Sequence, residues 1–191
     1  MAQADDPIDS LDFTDYFSPA RSVPEPLLSA ADLRHIDDLG LIGSGELRSK
    51  GFYTPLVDAA TRRTIPHGAG AQILVVEDDE GTAAVISKVL QSAGYQPRLA
   101  RDLGEIVKEL ARTPFPDLVL LDVMLPSVNG FDVLNRLRQH PALKLIPVVM
   151  LTSRGEQADL ARGLALGADG YLTKPAMPST LLDAVRSLVE D

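Results

Sequence analysis

Polar residues that could hold a metal ion and a phosphoryl group follow four short apolar runs of the chain. They are Glu77 and Asp78 after residues 73–76, Asp122 after residues 118–121, Thr152 after residues 148–151, and Lys174 after residues 171–173. Carboxylate oxygens are the hard ligands that suit Mg²⁺. An ammonium group and a hydroxyl beside a carboxylate would neutralise and orient the oxygens of a phosphoryl group. The pattern therefore predicts metal-assisted phosphoryl transfer, with Asp122 as the nucleophile.

Five apolar runs alternate with five segments of helical periodicity from residue 71 onward, and this alternation would bring the polar residues together. The runs cover residues 73–76, 98–100, 118–121, 148–151 and 171–173. Such alternation is typical of βαβ units, which build a parallel α/β sheet with helices on both faces. Ligands of these sheets bind beyond the carboxyl ends of the strands. We therefore predict one domain over residues 71–191, with the polar residues along one edge of its sheet.

The composition of the runs predicts the place of each strand in the sheet. The first, third and fourth runs are apolar at every position, which is typical of central strands buried on both faces. Pro97 removes a backbone donor from the second strand, so we expect that strand at an edge. With right-handed crossovers, these features favour the flavodoxin-like (βα)5 doubly wound order 2-1-3-4-5.

Residues 1–70 differ from the rest of the chain in composition and charge. They hold six of the 14 prolines and six of the 14 glycines. Residues 1–46 carry ten acidic and two basic residues, whereas residues 47–70 carry four basic residues and one acidic residue. Gly68-Ala69-Gly70 is typical of a linker. We interpret residues 1–70 as a flexible, mostly irregular N-terminal arm with one short helix near residues 29–39.

Three roles remain open for this arm. It is a disordered acidic tail, or a segment that docks on a partner through Phe13, Tyr16, Phe17 and the 29–39 helix. In the third interpretation its basic part, from Arg48 to Arg63, folds back on the acidic domain and restrains it.

The composition also excludes several classes of site and location. The chain has no cysteine and three scattered histidines, which excludes thiolate metal sites and disfavours a histidine cluster. Its apolar runs are too short to cross a bilayer, its amino terminus is acidic and its net charge is −9. We therefore expect a cytoplasmic protein without membrane insertion and without direct nucleic-acid binding. His140, which precedes Pro141 at the end of the third helical segment, is predicted at the surface.

The order of the motifs resembles that of the receiver domain (CheY-like) of two-component response regulators. The resemblance covers roughly residues 72–190 and rests on Ile-Leu-Val-Val-Glu77-Asp78, Leu-Leu-Asp122-Val-Met-Leu-Pro126 with Asn129-Gly130, Val-Val-Met-Leu-Thr152-Ser153, and Gly-Ala-Asp-Gly-Tyr171-Leu-Thr-Lys174-Pro175. It implies that Asp122 accepts a phosphoryl group from a phosphohistidine on a sensor histidine kinase or phosphotransfer protein.

The resemblance also implies a ligand set for Mg²⁺. Asp78, Asp122 and the backbone carbonyl of Met124 would hold the ion, with Glu77 acting through water. Asp79 is a further acidic residue in the first motif, and we interpret it as a helix N-cap rather than a ligand.

The switch residues follow from the same resemblance. Thr152 and Lys174 would contact the phosphoryl group, and Tyr171 would turn in behind Thr152 as the switch aromatic. The Lys174–Pro175 peptide bond would be cis.

These expectations together predict a signalling protein rather than a classical enzyme, with only self-phosphorylation and autodephosphorylation chemistry. Two residues follow Val189 in the fifth helical segment, so we expect no C-terminal output domain and a signal passed by contact with a downstream protein. The face of the fourth helix, fifth strand and fifth helix could also form a dimer. One alternative is a phosphorylation-independent adaptor. Another is an aspartate-nucleophile phosphatase, which would need a second aspartate where this chain has Met124.

Overall fold

The structure is a computed structural model that describes residue 17, residues 52–53, residues 70–153 and residues 157–189. The helix predicted near residues 29–39 lies outside the described residues, and so does most of the arm whose flexibility was predicted. The described strands are β1 Phe52–Tyr53, β2 Gln72–Val76, β3 Gln96–Ala100, β4 Leu118–Asp122, β5 Val148–Thr152 and β6 Gly170–Thr173. The described helices are α1 Glu80–Ser92, α2 Leu103–Leu110, α3 Gly130–Gln139, α4 Gln157–Ala165 and α5 Pro178–Val189.

The strands form one sheet in the order β1-β6-β5-β4-β2-β3. The five strands of the predicted domain pair in parallel, and their order is the expected 2-1-3-4-5. The flavodoxin-like fold is thus confirmed. β3, which contains Pro97, lies at an edge as predicted. β1 was not predicted, and it pairs with β6 in the antiparallel direction.

The central strands divide the core into two layers. β4 and β5 are buried at every position, and β2 at every position after its first. Alternate side chains of a strand point to opposite faces of the sheet. Leu74 and Val76 therefore join the cluster that includes Phe131, whereas Ile73 and Val75 join the cluster that includes Leu181. This packing fixes the strand ends, which carry the polar residues.

Polar caps begin the first three helices. The side chains of Asp79, Asp102 and Asn129 accept hydrogen bonds from backbone N–H groups in the first turns of α1, α2 and α3. The interpretation of Asp79 as an N-cap is therefore confirmed, with its oxygen 2.7 Å from Thr82 N. No helix in the described part of the chain is long and apolar enough to span a membrane.

The prediction for His140 was wrong, because its side chain is fully buried. The residue ends α3, and its N–H donates to the Arg136 and Leu137 carbonyls while its own carbonyl accepts from Leu143 and Lys144. Its Nδ1 accepts from the Ala142 N–H at 3.2 Å, so the tight turn folds over the ring. Burial lowers the pKa of the imidazole.

Candidate functional site

The structure brings the predicted site residues to one edge of the sheet. Glu77 directly follows β2, Asp122 ends β4, Thr152 ends β5 and Lys174 directly follows β6. The register aligns Asp122 with Leu151, and Thr152 with Thr173. Glu77, Asp122 and Thr152 are each at most 3% exposed. Parallel pairing thus brings residues that are far apart in sequence to one edge of the sheet, as predicted from the apolar runs.

Lys174 is the cation at the centre of this edge. Its Nζ lies 2.8 Å from Asp122 Oδ2, and 2.9 Å and 3.2 Å from the two carboxylate oxygens of Glu77. Its backbone N–H donates to the Thr152 carbonyl at 2.6 Å, which anchors the residue beside the end of β5. The Lys174–Pro175 peptide bond is cis, as expected. One ammonium group therefore holds two buried carboxylates together.

The pKa values of Glu77 and Lys174 are both raised in the site. Burial raises the pKa of Glu77, and the nearby Asp122 carboxylate raises it further, which outweighs the opposing bond from Lys174. Burial alone would favour the neutral amine of Lys174, but its bonds to Asp122 and Glu77 hold the pKa above the usual value. The site therefore favours a charged lysine and disfavours additional negative charge.

The acidic residues of the site can converge on one cation. Glu77, Asp78 and Asp122 each offer a carboxylate oxygen, and these oxygens lie within 4.8 Å of one another. Asp78 is exposed whereas the other two are buried, so one side of the group is open to solvent. Oxygen ligands with room for water are what Mg²⁺ requires. The donor set thus fits the ion that the sequence predicted.

Comparison with known proteins identifies the family. A family model of the response regulator receiver domain matches residues 73–186, more than half of the chain. The chain belongs to the receiver domain family. The resemblance drawn from the motifs is thereby confirmed.

Similar proteins include a transcriptional regulator, a chemotaxis protein and a response regulator of solved structure. The phosphate regulon transcriptional regulatory protein PhoB of Escherichia coli is 42% identical over 118 residues, which are 62% of this chain and 51% of PhoB. The structure of Vibrio cholerae chemotaxis protein CheY4 matches with a TM-score of 0.60 and 32% identity, over 63% of this chain and 100% of CheY4. The Mn(2+)-bound form of response regulator Rcp1 matches with a TM-score of 0.53 and 31% identity, over 61% of this chain and 90% of Rcp1. The chain spans about half the length of the curated relatives it matches.

The loop after the phosphoacceptor candidate of this receiver domain is shaped by Met124 and Gly130. The Met124 N–H donates to Asp122 Oδ1 at 3.2 Å, so it orients the carboxylate. Met124 also forms an isolated bridge with Asn129, which closes the loop. The family resemblance implies that the backbone carbonyl of Met124 is a ligand of Mg²⁺, and that role stays a prediction. The hydrogen bond from the Met124 N–H to Asp122 was not predicted.

Gly130 has a steric role that the sequence did not reveal. Its N–H donates to the Val123 carbonyl at 2.9 Å, which brings the start of α3 against the end of β4. A Cβ atom at this position would lie 2.1 Å from the Asp122 carbonyl oxygen and 2.9 Å from Val123 Cα. Only glycine therefore lets the receiver domain pack α3 this close to Asp122.

The candidate switch residue Tyr171 lies inside the receiver domain. It is 1% exposed, and burial together with the Asp159 carboxylate raises the pKa of its phenol. A Cβ on Gly163 of α4 would lie 2.9 Å from Tyr171 Cε2 and 3.4 Å from Phe131 Cε1. Gly163, which sequence reasoning missed, thus leaves the space that the ring occupies.

Proposed function

We propose that Asp122 of this receiver domain is the phosphoacceptor, and that a phosphohistidine on a sensor histidine kinase or phosphotransfer protein is the donor. An oxygen of Asp122 would form the new P–O bond while the P–N bond breaks and its electron pair returns to the imidazole. The observation that carries the proposal is the position of Asp122, buried at the carboxyl end of β4 with Lys174 Nζ at 2.8 Å. A carboxylate held by a cation at a strand end is suited to nucleophilic attack on phosphorus.

Mg²⁺ is the proposed cofactor. Asp78, Asp122 and the Met124 carbonyl would hold the ion, with Glu77 acting through water. The bound ion would supply positive charge to the phosphoryl oxygens. The convergence of three carboxylate oxygens within 4.8 Å supports this assignment, and so does the Mn(2+)-bound form of the similar regulator Rcp1.

The chain's own residues would handle the transferred group in three ways. Lys174 would place its ammonium against the phosphoryl oxygens while its bonds to Glu77 keep it near. Thr152, buried at the end of the neighbouring strand, would donate its hydroxyl. Tyr171 lies behind that strand end, so a shift of Thr152 would change the space around the ring and bias two arrangements of the receiver face.

A chemical phosphodonor tests the acceptor without knowledge of the kinase. The full chain with Mg²⁺ and acetyl phosphate should gain the mass of one phosphoryl group, on a bond that survives acid and is cleaved by base. Asp122→Asn should abolish this adduct. Asp79→Asn is the matched control, because the residue is acidic, lies beside the site and caps α1, a task that asparagine performs equally well.

The two variants separate the proposal from its alternatives. An adduct that persists at the same rate in Asp122→Asn would overturn the assignment. No adduct in the wild type would favour the phosphorylation-independent adaptor. The phosphatase alternative gains no support, since the position two residues after Asp122 holds Met124 with an exposed side chain.

We further propose that the signal passes to a downstream protein by direct contact in the cytoplasm, without direct binding of nucleic acid. The charge supports the last point, since the chain carries 27 acidic against 18 basic residues and would repel phosphate backbones. The test is co-purification of a partner with the full chain in the presence and absence of beryllofluoride, with Asp122→Asn as the control. The same partner recovered from Asp122→Asn with beryllofluoride would contradict a signal that depends on Asp122.

A further inference from the structure

The outer edge of β6 is occupied by the chain's own N-terminal region. β1 pairs with β6 in the antiparallel direction, with Phe52 opposite Leu172 and Tyr53 opposite Tyr171. On its other side β6 pairs with β5. Without β1, the described residues would leave this side of β6 as the end of the sheet. β1 therefore covers backbone groups that would otherwise be open to another strand.

A second contact also ties the N-terminal region to the domain. Phe17 is 2% exposed and belongs to the buried cluster that includes Phe131 and Leu134. Its carbonyl accepts a hydrogen bond from Arg136 Nη1 on α3 at 2.7 Å. Two separate points of the first 70 residues thus contact the folded domain, which is the behaviour of an attached segment.

The pairing of β1 with β6 is short. It comprises two residue pairs, whereas the strands of globular proteins usually have about five or six residues. A sheet edge with unpaired N–H and C=O groups is a template for strand addition by another chain. A short strand that already occupies the edge prevents this addition at little cost in conformational freedom.

We propose that residues 52–53 are an intramolecular cap on the β6 edge, and that the cap keeps this edge from pairing with the same edge of a second copy of the chain. The two β6 edges are identical, so pairing between copies would form a two-fold symmetric contact. Residues 47–70 carry a net positive charge and the remainder of the chain after them a net negative charge. The opposite charges attract the segment to its own domain, whereas two domains of like charge repel each other. The charges therefore favour the intramolecular pairing of β1 over pairing between two copies.

The cap can be removed by its backbone while the full chain is kept. Proline has no N–H and disrupts strand pairing, so Phe52→Pro with Tyr53→Pro should release β1. Phe52→Ala with Tyr53→Ala is the matched control, because it also removes both side chains but retains both N–H groups. Both pairs of substitutions change the same two positions, so the proline and alanine variants differ only in the backbone N–H groups and in the conformation that proline imposes.

Hydrogen exchange at β6 reports directly on the pairing. Successive N–H groups of a strand point to opposite sides, so one of Tyr171 and Leu172 faces β1 and the other faces β5. At a concentration where the proline variant is still monomeric, the amide that faces β1 should lose about fivefold protection, the factor expected for roughly one net backbone hydrogen bond. The amide that faces β5 should be unchanged, which also shows that the domain is still folded. The alanine variant should retain both.

Sedimentation of the same variants tests the consequence. The proline variant should self-associate at concentrations where the wild type and the alanine variant remain monomeric. Unchanged exchange in the proline variant would overturn the cap. Lost protection without self-association would overturn its role against a second copy. A wild-type dimer that the proline substitutions dissociate would also overturn the proposal, since β1 would then be exchanged between copies.

Discussion

Replacement of Gly130 by alanine tests the packing of the site without removing any of its functional groups. The added Cβ would lie 2.1 Å from the Asp122 carbonyl oxygen and 2.9 Å from Val123 Cα. Both neighbours are backbone, so no side chain can rotate away. The start of α3 and the end of β4 must separate by about 1 Å to reach an acceptable contact.

The magnitude follows from two opposing effects. Gly→Ala at an ordinary helical position stabilises by about 0.4–1 kcal/mol, because it restricts the unfolded chain. Forcing an extra carbon into a tightly packed region costs about 1–3 kcal/mol. Because the clash is with backbone, we expect the upper part of that range and a net loss of about 2 kcal/mol. A shift of about 1 Å at a reacting group costs about 100-fold in rate, so phosphorylation of Asp122 should slow by that order.

Urea unfolding followed by circular dichroism measures the stability, and the rate of phosphoryl uptake from acetyl phosphate measures the chemistry. Gly104→Ala is the control, because Gly104 also lies in the first turn of a helix and its Cβ would meet only Asp102 Oδ1, at 3.3 Å. The control should lose less stability than Gly130→Ala and should react at the wild-type rate. Equal stability and rate of the two variants would refute the steric argument.

Three further predictions concern the core of the site and the switch residue. Gly163→Ala should displace the Tyr171 ring, whose phenol pKa is raised by burial; tyrosinate absorbance should therefore show one tyrosine ionising above its usual range in the wild type and at lower pH in the variant. Lys174→Met should cost about 3 kcal/mol at neutral pH, measured by urea unfolding, since it leaves the buried carboxylates of Glu77 and Asp122 without their cation; a wild-type midpoint would contradict this. The raised pKa of Glu77 stabilises the metal-free fold below about pH 4.5, and this contribution is lost as the pH rises through the folded value; Glu77→Gln should remove that pH dependence from the unfolding free energy.

The ends of β2, β4 and β5 could be predicted because each of these strands holds an uninterrupted apolar run that a polar residue follows directly. Parallel strands end at the same edge of their sheet, so Asp122 and Thr152 were expected to lie near each other. Pro97 marked its strand as an edge strand because proline lacks a donor. In each case the deciding property is local in the sequence.

The features that were missed depend on contacts between distant parts of the chain. β1 has two residues, too few to show periodicity, and it exists because β6 offers an open edge. The steric role of Gly130 depends on where the Asp122 carbonyl lies, which no pattern in the sequence encodes. His140 is buried because a tight turn folds over it, and a histidine before a proline gives no sign of this.

The three bonds of Lys174 give Glu77 a second role beside the metal binding proposed for it. Two of these bonds go to Glu77 and one to Asp122, so loss of the Asp122 contact would leave the ammonium still held. An oxygen of Asp122 that becomes bonded to phosphorus carries less charge, and the negative charge moves outward onto the phosphoryl oxygens. Lys174 can follow that charge only if another group keeps it in the site, and Glu77 is that group. Burial makes the ionised form of Glu77 costly, and the bond to Lys174 offsets part of that cost, so each residue keeps the other charged. The acidic residues of the site therefore position the ammonium group of Lys174, in addition to offering oxygen ligands to the proposed metal ion.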